Sequence, residues 1–240
     1  MTRVFLFDVD GTLLRGDGAG RRAMERALAE VVGREGASAS PFEGVRFDGA
    51  TDRALVRTAL GALGAEPPDV ERLIDVVLAR YLRALTDELA RGAALRALEG
   101  AAELAAALAE LGVVGLGTGN VEIAAHMKIG AVGMGHLFAF GGYGSDAERR
   151  ADLLAIGAAR GAALAGRTLD LCDVVVIGDT PRDIEAGQAI GATVVAVATG
   201  SFSGDELTAA GADLVVPSLA RPEPIIERVV RGGRSGRARP

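Results

Sequence analysis

Several residue types are scarce or missing in this chain of 240 residues, which has no tryptophan, two tyrosines, one cysteine and one lysine. The lone cysteine, Cys172, cannot form an intramolecular disulfide, which fits a reducing cytoplasm. No run of about 20 residues is free of charges and helix breakers, and this excludes a membrane span. The first residues lead straight into the strand-like stretch Val4–Phe7 and leave no room for a signal peptide. We therefore expect a cytoplasmic protein with no membrane partner.

Acidic residues outnumber basic ones, 32 against 26, and the net charge is −6. A nucleic-acid binder would normally present a basic surface, so this balance argues against nucleic acid as a partner. Apolar residues make up 49% of the chain. At this length they can fill one large domain, or a core plus a smaller domain, and they exclude intrinsic disorder. We expect a monomer or a homodimer.

Short β-branched runs alternate with longer Ala/Leu/Arg stretches of helical period. This pattern predicts an α/β fold, a Rossmann-like parallel sheet with crossover helices on both faces. The predicted strands are Val4–Phe7, Val113–Gly117, Phe138–Phe140, Val174–Ile177, Thr193–Ala198 and Leu214–Val216. The predicted helices between them include Gly100–Leu111, Ala147–Leu164 and Pro181–Ala189.

One interval of the chain breaks this alternation, because the residues between the first two strands show helical patterns only. These patterns cover Ala19–Val32, Asp52–Leu63 and Asp69–Ala90. A crossover between parallel strands needs about a dozen residues, so the interval predicts an inserted α-helical domain. The predicted division is an α/β core of residues 1–15 plus 95–231, a helical insertion of residues 16–94, and a disordered tail of residues 232–240.

Two carboxylates stand two residues apart directly after the first predicted strand, in the segment Asp8–Thr12. At this spacing Asp8 and Asp10 leave the strand on the same side, and Gly11 lets the chain turn away without a Cβ in its path. Like charges this close are unfavourable unless a cation or a proton relieves them. A capped turn would need only one Asp, so the pair indicates a functional site.

Polar segments also follow two later strands. Gly117–Asn120 combines small residues with a helix start, which is typical of an anion site, although an ordinary N-cap is the alternative. The wider stretch Gly115–Asn120 superficially resembles a dinucleotide fingerprint, but it lacks the last glycine and follows the wrong strand. After Val174–Ile177, the segment Gly178–Asp183 places Asp179 at a strand end and Asp183 four residues later, where helix capping is again the alternative.

All three segments are expected at the same edge of the sheet, because each follows the carboxyl end of a parallel strand. Ligands of an open parallel sheet bind at this edge. Asp8, Thr118 and Asp179 each follow a strand, and a crevice rich in carboxylates is what Mg²⁺ selects. The only lysine, Lys128, lies eight residues beyond Asn120 on the following helix. Its ammonium could reach back over the strand ends and neutralise a phosphate beside the Asp pair.

With these motifs the chain resembles the haloacid dehalogenase-like (HAD) hydrolase superfamily, in particular its phosphoglycolate phosphatase-like branch, whose helical insertion is called a cap. The resemblance implies that Asp8 is the nucleophile and Asp10 the general acid/base. It also implies a phosphate site whose candidate residues are Thr118, Gly119, Asn120 and Lys128. The implied Mg²⁺ ligands are Asp8, Asp179, Asp183 and, through its main-chain carbonyl, Asp10.

One departure from that branch concerns the basic residue that neutralises phosphate. The branch carries a Lys-Pro pair ahead of the helix after the third strand, whereas this chain reads Gly144–Arg150 there and has no lysine. Either Lys128 supplies the ammonium from another helix, or Arg149 or Arg150 takes its place. A guanidinium is bulkier and planar, so it would not be a silent replacement, and we prefer Lys128.

The resulting hypothesis is a Mg²⁺-dependent hydrolase that releases phosphate from a small phosphorylated metabolite through an aspartyl-phosphate. Its acid–base cycle requires the pKa of Asp10 to lie above that of Asp8. The main alternative is a sugar-phosphate mutase of the same superfamily, although that branch uses a cap His and Lys that this chain lacks. A phospho-acceptor receiver domain is less well supported, because receivers are about half this length and have no cap. Asp10 argues against a dehalogenase, and the lysine-free cap against phosphonatase chemistry.

Overall fold

A computed structural model describes residues 2–33, 42–64 and 69–231 of the protein. Its strands are β1 (Thr2–Phe7), β2 (Leu14–Arg15), β3 (Arg96–Ala97), β4 (Val113–Thr118), β5 (Gly141–Tyr143), β6 (Cys172–Gly178), β7 (Thr193–Val197) and β8 (Leu214–Val216). Its helices are α1 (Ala19–Val31), α2 (Asp52–Ala62), α3 (Asp69–Ala90), α4 (Ala101–Ala109), α5 (Glu122–Ala131), α6 (Arg150–Leu164), α7 (Pro181–Ala189), α8 (Gly204–Ala209) and α9 (Glu223–Arg231). None of the helices in these ranges is long and apolar enough to cross a membrane.

Six strands form one sheet in the order β5-β4-β1-β6-β7-β8, and every neighbouring pair is parallel. The central strand β1 is apolar without alternation, because its side chains pack on both faces: Phe5 and Phe7 join one core cluster, and Val4 and Leu6 join another. The predicted α/β fold with a Rossmann-like parallel sheet is confirmed.

The predicted strand Phe138–Phe140 is wrong by three residues, because the fifth strand is Gly141–Tyr143. Phe138 instead packs its ring edge-on against Phe7, with 5.9 Å between the ring centroids. The strand itself needs glycine because helix α6 crosses it closely: a Cβ on Gly142 would lie 1.8 Å from the carbonyl oxygen of Leu153. The aromatic residues at 138 and 140 suggested a strand, because aromatic residues are common in strands. Phe138 instead packs in the core, and the glycine-rich residues that follow form the strand.

The inserted helices α1, α2 and α3 pack on one another around a second hydrophobic cluster, which includes Met24, Leu60, Ile74 and Tyr81. Val121 and Ala124 of the core also belong to this cluster, so the insertion packs against the start of α5. At its base, β2 and β3 form a short antiparallel pair that the sequence did not suggest. We call helices α1 to α3 with their connections the cap. The predicted tail, residues 232–240, lies outside the described residues.

Candidate active site

The carboxyl ends of β1, β4 and β6 form one crevice, because β1 lies between the other two strands in the sheet. Asp8 follows β1, Thr118 ends β4 and Asp179 follows β6. All three line a crevice of about 440 Å³ between the sheet and the cap. Residues far apart in sequence therefore meet at the edge where ligands of open parallel sheets bind.

Three buried carboxylates form an acid cluster in this crevice. Oxygens of Asp8, Asp179 and Asp183 lie within 4.8 Å of one another. Burial, together with the neighbouring Asp8 and Asp183, raises the pKa of Asp179 to about 8. Burial also raises the pKa of Asp8 to about 6, against the opposing charge of Arg150. Both shifts express the cost of gathering negative charge away from water, which a divalent cation would relieve.

The carboxylate of Asp179 occupies a space that two glycines leave open. A Cβ on Gly200 would lie 1.7 Å from Asp179 Oδ2, and a Cβ on Gly11, whose φ is +86°, would lie 2.3 Å from it. The Thr12 hydroxyl donates a hydrogen bond of 3.1 Å to the other oxygen, Asp179 Oδ1. Gly11 therefore serves two purposes, the left-handed turn after β1 and the close approach of a carboxylate.

Arg150, the first residue of α6, is buried between two of these carboxylates. Its Nη2 atom donates a 2.6 Å hydrogen bond to Asp8 Oδ1, and its Nε atom donates a 2.7 Å bond to Asp183 Oδ1. Burial disfavours the charged guanidinium, but Asp183 and Asp8 outweigh it and raise the pKa of Arg150. The adjacent Arg149 points into solvent, with 81% of its side chain exposed. We call Arg150, Asp8 and Asp183 the Arg150 cluster.

Asp183 also holds the turn after β6. Its Oδ2 atom accepts hydrogen bonds from the Thr180 backbone N–H at 3.0 Å and from the Thr180 hydroxyl at 2.7 Å. These bonds form a capping box at the start of α7. Both oxygens of Asp183 are therefore engaged by protein donors, which suits a residue that positions the site. Its role as a metal ligand stays a prediction.

Asp10 turns away from the acid cluster and forms a different set of contacts. Its Oδ2 atom accepts 2.7 Å hydrogen bonds from Lys128 Nζ and from Asn120 Nδ2. Lys128 Nζ also donates to Asn120 Oδ1 at 2.7 Å. The Asp10 side chain is 49% exposed, whereas that of Lys128 is 8% exposed. We call Lys128, Asp10 and Asn120 the Lys128 cluster.

The order of pKa values expected for the two aspartates is reversed in this structure. Burial acts to raise the pKa of Asp10, but the ammonium of Lys128 and the hydrogen bonds from Lys128 and Asn120 outweigh it and lower the pKa. Asp8, in contrast, has a raised pKa because it is buried beside other acids. Since Lys128 is paired with Asp10 rather than with Asp8, it keeps the predicted acid/base ionised.

The loop after β4 joins the Lys128 cluster to the cap. Thr118 Oγ1 accepts a 2.9 Å hydrogen bond from Asn120 Nδ2. Gly119 has no room for a side chain, because a Cβ there would lie 2.2 Å from the carbonyl oxygen of Ala50 in the cap. The structure thus brings together every predicted phosphate-site residue: Thr118, Gly119, Asn120 and Lys128 all line the crevice.

Sequence reasoning missed the four polar side chains that the cap contributes to the crevice, namely Arg21, Asp48, Asp52 and Tyr81. Asp52 begins α2 and accepts a 2.8 Å hydrogen bond from the Val121 backbone N–H. Burial raises the pKa of Asp52 to about 6. Tyr81 lies on the buried face of α3. In sequence, an acidic residue at a helix start is ordinary capping and an aromatic residue on an apolar stripe is ordinary core, so neither gave a signal.

Comparison with known proteins identifies the class of protein to which this fold and site belong. The family model of the haloacid dehalogenase-like hydrolases matches residues 2–191. The chain therefore belongs to this family and is a hydrolase, as the resemblance of its motifs implied. No functionally curated protein matches the chain.

Solved structures with the same fold have different described activities. A predicted phosphoglycolate phosphatase from Haemophilus somnus is 17% identical, with a TM-score of 0.65 over 94% of this chain and 98% of that one. A phosphonoacetaldehyde hydrolase-like protein from Oleispira antarctica is 22% identical, with a TM-score of 0.66 over 97% and 95%. A proposed beta-phosphoglucomutase from Thermotoga maritima is 17% identical, with a TM-score of 0.58 over 95% and 100%. At these identities the likeness establishes the fold alone, and the reaction depends on the residues of the site.

Proposed function

We propose that this hydrolase releases phosphate from a small phosphomonoester, with Mg²⁺ and through an aspartyl-phosphate on Asp8. The observation that carries the proposal is the position of Asp8. Its Oδ1 atom is held by Arg150, and its Oδ2 atom accepts no hydrogen bond from a described residue. A buried carboxylate with one oxygen fixed and the other free is suited to act as a nucleophile. The phosphoglycolate phosphatase-like motifs support the same reaction.

The acid cluster has the chemistry of a Mg²⁺ site. Asp8 and Asp179 offer hard oxygen ligands at a strand edge, and their raised pKa values show that a positive charge would stabilise them. Asp8, Asp179 and the main-chain carbonyl of Asp10 would hold the ion, and Asp183 would lie beside it. When bound, Mg²⁺ would neutralise charge on the phosphoryl oxygens during transfer.

The first chemical step is an attack of Asp8 Oδ2 on phosphorus, which forms the aspartyl-phosphate and releases the alcohol as its P–O bond breaks. Arg150 keeps Asp8 in position, and the Thr118 loop and Lys128 face the phosphate from the other side of the crevice. Asp10 donates a proton to the leaving oxygen and later takes one from the attacking water. Since Lys128 lowers the pKa of Asp10 in the free site, we infer that the charge of bound phosphate raises it again.

Two other reactions of the superfamily need residues that this cap lacks. The mutase branch uses a cap His and Lys, and phosphonatase chemistry uses a cap Lys, whereas residues 16–94 contain neither residue type. The two histidines lie outside the cap, and His126 is in hydrogen-bond contact with the Tyr143 hydroxyl at 3.1 Å. Hydrolysis is the reaction for which the residues are present.

The test is phosphate release from a panel of phosphorylated metabolites with and without Mg²⁺. We expect release that requires Mg²⁺, and a wild-type protein that gains the mass of one PO₃ group on acid quenching. Asp8→Asn should abolish both turnover and this mass increase, while Asp10→Asn should slow turnover and leave substrate binding largely intact. Mg²⁺ should also raise the Tm of the wild-type protein, because it binds only the folded site. Normal turnover by Asp8→Asn would refute the proposal.

A further inference from the structure

A second polar region of the same crevice, here called the pocket, lies beside Asp10, where the cap meets helix α5. Gly20 of α1, Asp52 of α2, Tyr81 of α3 and Lys128 of α5 all line the crevice there. Tyr81 is 1% exposed, and its hydroxyl makes no hydrogen bond to any residue that the structure describes. This oxygen is not among the fully buried unpaired atoms of the described residues, so it opens onto the crevice although the ring is buried. A hydroxyl placed in this way is available to a ligand that enters the crevice.

The space in front of this hydroxyl exists because residue 20 is glycine. A Cβ built on Gly20 would lie 3.8 Å from the Tyr81 hydroxyl oxygen and 3.4 Å from Lys128 Nζ. The two polar atoms thus face the same small opening. Glycine disfavours a helix, so its presence in the first turn of α1 is consistent with a need for this room.

The free hydrogen-bonding groups of the pocket can be counted. Lys128 donates two of its three N–H bonds to Asp10 and Asn120, which leaves the third. Tyr81 offers its O–H group. Asp52 accepts from Val121 with Oδ2, and its Oδ1 atom has no partner among the described residues. The pocket therefore presents two donors and one acceptor, and an alcohol hydroxyl, with two lone pairs and one proton, is their complement.

The charges around the pocket also favour a neutral hydroxyl group over a carboxylate. The negative charge of Asp52 offsets the positive charge of Lys128, and Asp10 holds a proton when phosphate is bound. A carboxylate placed here would therefore find no uncompensated positive charge, would be repelled by the carboxylate of Asp52, and has no proton to donate to it. A neutral hydroxyl meets none of these obstacles.

We propose that Tyr81, Lys128 and Asp52 bind a hydroxyl group of the leaving alcohol, so that the substrate is a phosphorylated polyol or sugar rather than a phosphorylated carboxylic acid. The inference rests on the phosphatase function proposed above. Lys128 lies 2.7 Å from the carboxylate that would protonate the leaving oxygen. A hydroxyl on the carbon next to the ester carbon would therefore fall within reach of the pocket.

Three two-carbon phosphomonoesters test this subsite, namely 2-hydroxyethyl phosphate, ethyl phosphate and 2-phosphoglycolate. We expect the wild-type enzyme to have its highest kcat/KM with 2-hydroxyethyl phosphate. Tyr81→Phe should raise KM for that substrate by about three- to tenfold with kcat unchanged, because the lost hydrogen bond forms in the ground state and in the transition state alike. The constants for ethyl phosphate should not change.

Two further variants separate binding from folding. Gly20→Ala adds a methyl group in the opening and favours the helix, so we expect the same loss of hydroxyl preference without a lower Tm. Tyr143→Phe removes another buried tyrosine hydroxyl, one that contacts His126 away from the crevice, and should leave the preference intact.

A preference for 2-phosphoglycolate, or an unchanged preference in both Tyr81→Phe and Gly20→Ala, would overturn the subsite while leaving the phosphatase function standing. An equal change with all three substrates in Tyr81→Phe would do the same. Failure to release phosphate from any ester, including the activated 4-nitrophenyl phosphate, would refute the phosphatase function itself and the subsite with it.

Discussion

The Arg150 cluster and the Lys128 cluster both pair a cation with one of the two aspartates that follow β1, but they differ in their access to water. Arg150 and Asp8 are both less than a tenth exposed, whereas Asp10 is 49% exposed and faces the crevice. Buried ions cannot exchange a lost partner for water, while an ion at a crevice can. The comparison indicates that the ion pair of Asp8 is closed off from water, whereas that of Asp10 is open to the water of the crevice.

The strongest test of this difference is Arg150→Met, which leaves Asp8 and Asp183 buried without their cation. Removing one partner of a buried ion pair typically costs about 3–5 kcal/mol, and we expect a loss of this size in the free energy of unfolding, together with loss of turnover. Urea denaturation in the absence of divalent ions measures it.

Arg149→Met is the matched control for that variant, because it removes the same charge one residue earlier from an exposed side chain. Its unfolding free energy should change by less than about 0.5 kcal/mol. Equal losses in the two variants would contradict the burial of Arg150.

Asp52 of the cap, which lines the crevice together with Lys128, should make the stability of the protein depend on pH. Burial raises the pKa of Asp52 from 3.8 to about 6. Between these values the folded state holds the Asp52 proton more often than the unfolded state does, so the contribution of Asp52 to stability should fall as pH rises and then level off above pH 6. The two-unit shift corresponds to about 3 kcal/mol.

Asp52→Asn removes this titration and keeps an acceptor for the Val121 N–H. Relative to wild type, the variant should gain stability progressively between pH 4 and 7, measured as the difference in unfolding free energy at each pH. A difference that does not vary with pH would show that Asp52 is not the group responsible.

Of the changes within the two clusters, Lys128→Met should have the smaller effect on stability, because it keeps the buried stem and removes only the ammonium. Water in the crevice can solvate the exposed Asp10, so we expect a loss of about 1 kcal/mol, as for partly exposed pairs. Turnover should nevertheless fall by about a hundredfold, since the variant removes a preorganised positive charge beside the proposed phosphate site. A stability loss as large as that of Arg150→Met would remove the distinction between the clusters.

The positions of the acidic and polar residues at the strand ends could be predicted, because the strands before them are visible in the local sequence pattern. The strands before Asp8, Thr118 and Asp179 are short apolar runs, and parallel strands must end at a common edge of the sheet. The fifth strand was misplaced because its sequence, Gly-Gly-Tyr, has no pattern typical of a strand. Glycine is needed there because α6 crosses the strand closely, which the sequence does not reveal. The short pair of β2 and β3 at the base of the cap was missed for a similar reason, because two-residue strands have no period to detect.

The α/β fold, the helical insertion and the acidic residues at the strand ends could be read from the amino-acid sequence, since they follow from periodicity and from chain direction. The pairing of each cation with its carboxylate could not, because it depends on how the helices pack. Arg149 and Arg150 are neighbours in the chain, yet α6 begins so that Arg150 shares the buried face of Leu153, Leu154 and Gly157 while Arg149 points outward. Lys128 likewise lies on the buried face of α5, where it reaches Asp10. Each residue along a helix turns the side-chain direction by about 100°, and packing against the sheet and the cap decides which side chains face inward.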